Sequence, residues 1–275
     1  MKNNVLINRF KSKTSNYYTE GFDFLIDNFI IPSVYVERRE KHIICISCMK
    51  GCPIGCLFCA SGKNYFGLLN NEQINFMIDE ILKYVNDDKK DILLSFMGSG
   101  EPVMNYLNVI NTINNINDRI NKFAISTSGY VINNINKFDF SGMKIQLSVH
   151  SVNDNKRLQM MKKTSKLDEI MNIIDNLQLC KVEYNFIFIN KLNDDINVFY
   201  DIVKWCDLWD IDEIKVNKFH SQNGFIESYN KNQIINNIRE YGINVEEYET
   251  DGVDINVSCG QMIVEQRDDY KIRGI

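Results

Sequence analysis

The chain has 275 residues, 44% of them hydrophobic and 24% charged, which is enough apolar material for one sizeable core and the usual length of one α/β barrel domain. Its net charge of -5 works against a general nucleic-acid binder, whose non-specific affinity comes from Lys and Arg neutralising phosphates. No run of 18 apolar residues exists and the start, MKNNVLINRFKSKTSNYYTEG, is too polar for a signal peptide, so no membrane partner and a cytoplasmic location are expected.

Residues 1–32 read as an N-terminal extension. Lys2, Arg9, Lys11 and Lys13 precede the first acid, Glu20, which suits either a basic arm for phosphate or a solvated, partly disordered start. The segments 33–37 and 42–48 pair as a hairpin across Arg38, Arg39 and Glu40. Ile74, Met77, Ile78, Ile81, Leu82 and Val85 then repeat at steps of three and four, the stripe of an amphipathic helix. Further β-rich runs lie at 91–97, 123–127, 144–150, 182–189 and 213–219, and further helical periodicity at 107–120, 167–179, 196–209 and 233–241. With only three prolines and no linker, this reads as one α/β domain over 33–262, followed by a tail at 263–275. Six strands each followed by a helix, right-handed by rule, predict a partial (β/α)6 TIM-like barrel rather than a closed eight-unit one.

Active sites of such barrels are built at the C-terminal ends of the strands. Those ends carry a cysteine loop after the first strand, Gly98-Ser99-Gly100-Glu101-Pro102 after the second and Ser126-Thr127-Ser128-Gly129 after the third. Ser148-Val149-His150 ends the fourth, and Phe219-His220-Ser221 the sixth.

In a reducing compartment eight cysteines point to metal, iron-sulfur or redox chemistry rather than a disulfide framework. Cys52, Cys56 and Cys59 supply three thiolates within eight residues. A structural zinc site uses four ligands, normally from paired short motifs, and no second pair follows. An iron-sulfur cluster normally takes four cysteines, so three leave one iron free for a substrate or cofactor. The Cys-x3-Cys-x2-Cys spacing resembles the signature of the radical S-adenosylmethionine superfamily, which implies a 4Fe-4S cluster on Cys52, Cys56 and Cys59 and S-adenosylmethionine as cofactor.

From about Val34 to Met262 the chain further resembles the RlmN and Cfr family of RNA adenine methyltransferases. The likeness is carried by Cys45, GCPIGCLFCASGKNYFGLLN, FMGSGEPVMNY, ISTSGYV, LSVHSVNDNKR and SCGQM. The resemblance implies that Cys259 accepts a methyl from one of two S-adenosylmethionine molecules used per turnover. Cys45 then resolves the adduct formed on carbon 2 or carbon 8 of an adenine, with a transient Cys45–Cys259 disulfide. It further implies an RNA substrate, 23S rRNA foremost, and a flavodoxin- or ferredoxin-type electron donor. Gly100, Glu101, Ser126, Ser148, Val149 and His150 would contact the cofactor, with His220 in place of a late family Asn.

Departures from the pattern are a missing accessory N-terminal domain, Pro32 where the family has a proton-accepting Glu, and Cys48 where it shows Ser. Cys48 creates a second thiol three residues after Cys45 and an alternative start for cluster ligation. Cys180 and Cys206 read as ordinary buried thiols. Two other functions stay open: the same chemistry on a small nucleoside, nucleotide or natural product, and a non-catalytic iron-sulfur redox sensor using Cys45, Cys48 and Cys259.

Overall fold

Strand β1 (Val5–Lys11), β2 (Tyr18–Ile26) and β3 (Phe29–Arg38) form an antiparallel meander. The β2–β3 turn is the two residues Asp27 and Asn28, both with positive φ, the type I′ geometry whose twist suits a tight hairpin. The structure is a computed structural model that describes residues 4–38, 41–85, 91–120, 122–139, 143–177, 181–249 and 251–266.

The meander corrects the expectation of a disordered start, and two of its cations, Arg9 and Lys11, already have partners. Arg9 pairs with buried Glu20 at 2.7 Å and lies 3.3 Å over the Tyr84 ring, and Lys11 lies over Tyr18. Phe22, Phe24 and Ile26 of β2 join the main core, so a boundary after residue 32 falls inside β3 and inside one packed body.

As expected, β3 then pairs antiparallel with β4 (Lys41–Cys45). A separate ribbon of β5 (Met49–Gly51) and β6 (Tyr65–Leu68) brackets the cysteine loop. After it, α1 (Asn71–Leu82) opens on a capping box between Asn70 and Gln73. Next come β7 (Asp91–Phe96), α2 (Tyr106–Ile116), β8 (Lys122–Thr127), β9 (Met143–Ser148), α3 (Asp154–Met160), α4 (Leu167–Asp175) and β10 (Lys181–Phe186). The order continues with α5 (Val198–Leu208), β11 (Glu213–Asn217), α6 (Lys231–Glu240), β12 (Asn244–Tyr248) and the short β13 (Glu265–Gln266), which pairs back onto β3.

The order β4-β7-β8-β9-β10-β11-β12 is parallel throughout and does not close on itself, the expected open barrel. Two details differ from the sequence expectation. The third strand, β8, is followed by a 3-10 segment (Ile132–Lys137) rather than an α-helix, and a seventh parallel strand, β12, was not foreseen. Only one of the five residues of β12, Val245, is buried, so the segment carries no apolar run.

The N-terminal meander also reaches the far edge of the open barrel. Ser12 and the Lys13 amide bond Asp254, and the Gly252 amide donates to Ser15. Arg38 bonds Asp251 at 2.6 Å and the Glu249 carbonyl at 3.1 Å, with its guanidinium 4.4 Å over the Tyr248 ring. These contacts fasten the stretch that leads into Cys259. Among the described residues no helix is long and apolar enough to cross a membrane.

Candidate active site at the rim of the barrel

The three thiols of Cys52, Cys56 and Cys59 lie in the loop between β5 and β6, half-buried against Ile54, Phe58, Met160, Met161 and Phe219. The loop is held from several sides. The Cys52 amide donates to the Ser61 and Asn64 carbonyls, Leu57 donates to the Met160 carbonyl, and Asn223 donates to the Leu57 carbonyl. Gly62 is required there, since a Cβ would stand 2.8 Å from the Cys56 carbonyl oxygen.

Burial pushes all three thiols above the ordinary range, against backbone amides of Ile54 and Gly100 that favour the Cys52 thiolate and amides of Ser61 and Gly62 that favour that of Cys59. Among the described residues no group of three Cys, His, Asp or Glu side chains is arranged around one ion. Three thiols of one amide-donating loop fit separate corners of a cluster.

The Cys259 loop is fastened directly to this one. Ala60 donates its amide to the Gly260 carbonyl at 2.7 Å, and Ser61 Oγ donates to the Met262 carbonyl at 2.6 Å. Cys259 is an exposed residue of its loop, yet desolvation of its sulfur first and the neighbouring Cys59 second push its thiol up to about 12. Cys45, at the end of β4, is buried with Val34, Val36, Val257 and Met262. Burial first and the neighbouring Cys259 second push its thiol up to about 12, while Arg38 opposes the shift. Two cysteines 214 positions apart thus share one electrostatic neighbourhood.

Every described cysteine is a free thiol, and the Cys45–Cys259 disulfide, expected only as a transient state, is not formed in this structure: the sheet holds one sulfur buried on β4 while the other stands in an accessible loop. Cys48 belongs to the main core rather than to the Cys45 cluster. Its sulfur packs against Gly100, whose φ of +124° and missing Cβ allow that approach. Cys206 is buried on α5 as expected, and Cys180 lies outside the described residues.

Around the loop stand the other strand ends. Glu101, fully buried after β7, accepts from the Ser128 amide at 2.8 Å and the Ser128 hydroxyl at 2.7 Å; burial raises its carboxyl against these bonds. Ser126 and Ser148 are half-buried near the ends of β8 and β9, and Val149 is buried. His150 is buried with a left-handed φ of 58°. Its ring stands edge-on to Phe58 of the cysteine loop, and its Nδ1 has no partner. Burial and the Arg157 charge lower its pKa to about 3, so the imidazole is neutral.

His220 stands apart. It lines a cavity of about 470 Å³ with Tyr17, Arg38, Lys218, Tyr248 and Asp251, none of the other expected cofactor residues faces that cavity, and Phe219 rather than His220 packs beneath the cysteine loop. Pro32 lies beyond the β3–β4 ladder, which begins at Val34 and Cys45, and its carbonyl accepts from Ser47 Oγ at 2.6 Å. It offers no base.

Sequence reasoning missed Arg157. Fully buried, it donates to the Val149 carbonyl at 3.2 Å, the Ser128 carbonyl at 3.0 Å and Thr164 Oγ1 at 2.7 Å. Ser128 is thereby gripped through its amide and hydroxyl by Glu101 and through its carbonyl by Arg157, which locks three consecutive strand ends. A signal did exist: Arg157 precedes buried Met160 and Met161 by three and four residues, the register of an inward face.

An open parallel barrel with a three-thiol loop after its first parallel strand and polar strand ends around it is the architecture of a radical S-adenosylmethionine enzyme, and the Radical SAM superfamily pattern matches residues 46–202. A radical SAM methyltransferase from Sphaerobacter thermophilus shares the fold, with a TM-score of 0.80 and 19% identity over 97% of this chain and 82% of that one. Streptococcus suis SuiB bound to S-adenosylmethionine is similar with a TM-score of 0.53 and 14% identity, covering 73% of this chain and 48% of that one.

Among sequences, a Thermotoga petrophila protein named "Probable dual-specificity RNA methyltransferase RlmN" is 30% identical over 258 residues, 86% of this chain and 73% of the relative. A Chlorobium phaeobacteroides protein of the same name is 27% identical, covering 86% of this chain and 71% of the relative. The chain belongs to the RlmN family of radical SAM methyltransferases, and its cofactors are a 4Fe-4S cluster and S-adenosylmethionine.

Proposed function

We propose that the protein methylates carbon 2 or carbon 8 of an adenine in RNA, 23S rRNA foremost, through a methyl group carried on Cys259. One observation carries this reading: the Cys259 loop is bonded to the Cys59 loop at Ala60 and Ser61 while Cys45 faces it from β4. Relatives named as RNA methyltransferases support the substrate class.

Cys52, Cys56 and Cys59 hold the cluster, and Gly100, Glu101, Ser126 and Ser148-Val149-His150 form the cofactor wall. The bound cluster, reduced by a flavodoxin- or ferredoxin-type donor, supplies the electron that cleaves S-adenosylmethionine to the radical that takes a hydrogen from the carried methyl. Cys259, accessible at the loop tip, loses its proton and accepts that methyl from a first S-adenosylmethionine. In this reading Cys45, as its thiolate, would take the proton that the attacked adenine carbon loses; its sulfur would then bond transiently to that of Cys259 as the methylene–sulfur bond breaks, with the surplus electron returned to the cluster and the freed methylene taking up a proton. The attacked base must leave its stack to reach Cys259.

A second reading, the same chemistry on a small nucleoside, nucleotide or natural product, is favoured by the cavity beside Arg38 and Tyr248, whose cations Arg38 and Lys218 are already neutralised by Asp251 and Glu249.

Oxygen-free reconstitution, methyl-labelled S-adenosylmethionine and unmodified ribosomal RNA test both readings, with Cys259→Ala as control. Label on Cys259 and on RNA, both lost in the variant, is expected. Label on Cys259 alone moves the substrate to the small-molecule class, and no label on the protein refutes the methyl-carrying cysteine.

A further inference from the structure

Most cations around the sheet edge are spoken for. Arg38 pairs with Asp251, Lys218 with Glu249, Lys215 with Glu183 and Glu246, and Arg239 with Glu247. The rim beside the cysteine loop differs. Lys162, Lys163 and Lys166, in the connection from α3 to α4, are exposed, and among the described residues none has a carboxylate partner; the same holds for Lys63 at the other side of the loop.

This basic arc is anchored to the cysteine loop itself. Met160, at the end of α3, accepts the Leu57 amide at 2.9 Å, and a Cβ on Gly55 would meet the Lys162 side chain at 3.4 Å. Tyr65 follows Lys63 by two residues and is 43% exposed, with its phenol close enough to Cys52 to feel that thiol.

We propose that Lys63, Lys162, Lys163 and Lys166, with Tyr65 as a stacking platform, form the surface that receives the RNA backbone next to the reacting base. This rests on the RNA reading above. Bare lysines gain from phosphate what paired ones cannot, because a paired cation must first give up its carboxylate. An exposed aromatic beside them adds sequence-tolerant stacking on a neighbouring base. The chain's negative total charge then confines RNA to this arc and repels it elsewhere.

The test uses the reconstituted holoenzyme and a fluorescent adenine-containing ribosomal RNA hairpin, with affinity read from 0.05 to 0.3 M salt. Replacing Lys162, Lys163 and Lys166 together by Gln removes about three phosphate contacts. The slope of log affinity against log salt is expected to fall in magnitude by about 2, and affinity at low salt by about ten- to a hundredfold. Iron content and circular dichroism check that the variant is folded and loaded. A charge-matched variant with Gln at Lys41, Lys83 and Lys122, on the other side of the molecule, is expected to keep the slope. Equal loss in both variants, or no loss in the first, overturns the arc while leaving RNA as substrate. Wild-type protein that binds anionic lipid vesicles but no RNA refutes the arc and the RNA reading together.

Discussion

Replacing Arg157 by Met keeps most of the buried volume and deletes three donors from the strand ends that frame the cofactor wall. The Ser128 carbonyl keeps a bond from Thr164 Oγ1 at 2.7 Å and the Val149 carbonyl keeps one from the Ser151 amide at 2.7 Å, but both lose their guanidinium donor inside a dry core. Hydrogen bonds to a charged group contribute about 1.5–3 kcal/mol each. Losing a buried cation that has no carboxylate partner returns part of this as desolvation, so the net loss is about 2–4 kcal/mol. For a chain of this size that lowers the unfolding temperature by roughly 5–12 °C without abolishing the fold.

The positioning role has a separate signature. With the guanidinium gone from the Ser128 and Val149 carbonyls, the half-saturating S-adenosylmethionine concentration should rise by about tenfold or more, read from the cofactor-dependent change in the electron paramagnetic resonance spectrum of the reduced cluster. Arg157→Lys, which keeps the charge and part of the donor set, should recover some of that affinity. An Arg157→Met protein that melts like the wild type and binds S-adenosylmethionine equally well would refute the reasoning.

Three further outcomes are expected. His150 should show no titration between pH 5 and 8 by nuclear magnetic resonance. Because burial lowers its folded pKa to about 3, the unfolded state binds more protons below about pH 6.5, so its contribution is present above that pH and lost as pH falls towards 3; His150→Gln should flatten this part of the denaturant-stability profile. Alkylation of Cys45, with its thiol near 12, should be slow at pH 7.5 and rise about tenfold per pH unit, and Arg38→Gln should slow it further at fixed pH because the opposing charge is gone. Gly100→Ala places a Cβ at 2.8 Å from both the Cys48 sulfur and Met49 at a φ of +124°. It should cost more than about 2 kcal/mol in a thermal or denaturant melt, and an unchanged midpoint would contradict the close packing.

Much of this protein is legible along the chain. Alternating apolar runs and helical stripes specify parallel β/α units because burial on both faces of a strand and one face of a helix leaves a local trace. The three cluster thiols are equally legible, since one short loop supplies them all. Chemistry written into contiguous residues needs no fold to be read.

What the sequence hides is whatever depends on distant partners. Val245 is the single buried residue of β12, and that strand exists because the β11 edge offers it a backbone ladder that no side-chain pattern announces. The first basic residues look free in sequence, yet the β1–β2 meander turns Arg9 onto Glu20 and Tyr84. Cys45 and Cys259 were joined by resemblance to a family, whereas their shared neighbourhood here comes from loops bonded at Gly260 and Met262 and from a hairpin latched to Asp251 and Asp254. Arg157 reads as a surface charge until three strand ends converge on it. The sequence by itself thus determined most of the strand and helix order from β3 onward and the three-thiol loop, because periodicity and spacing are local. Only the tertiary structure decided which charges are spent, which thiols meet and which strand ends are locked, because electrostatic and hydrogen-bond partners are assigned by closeness in space.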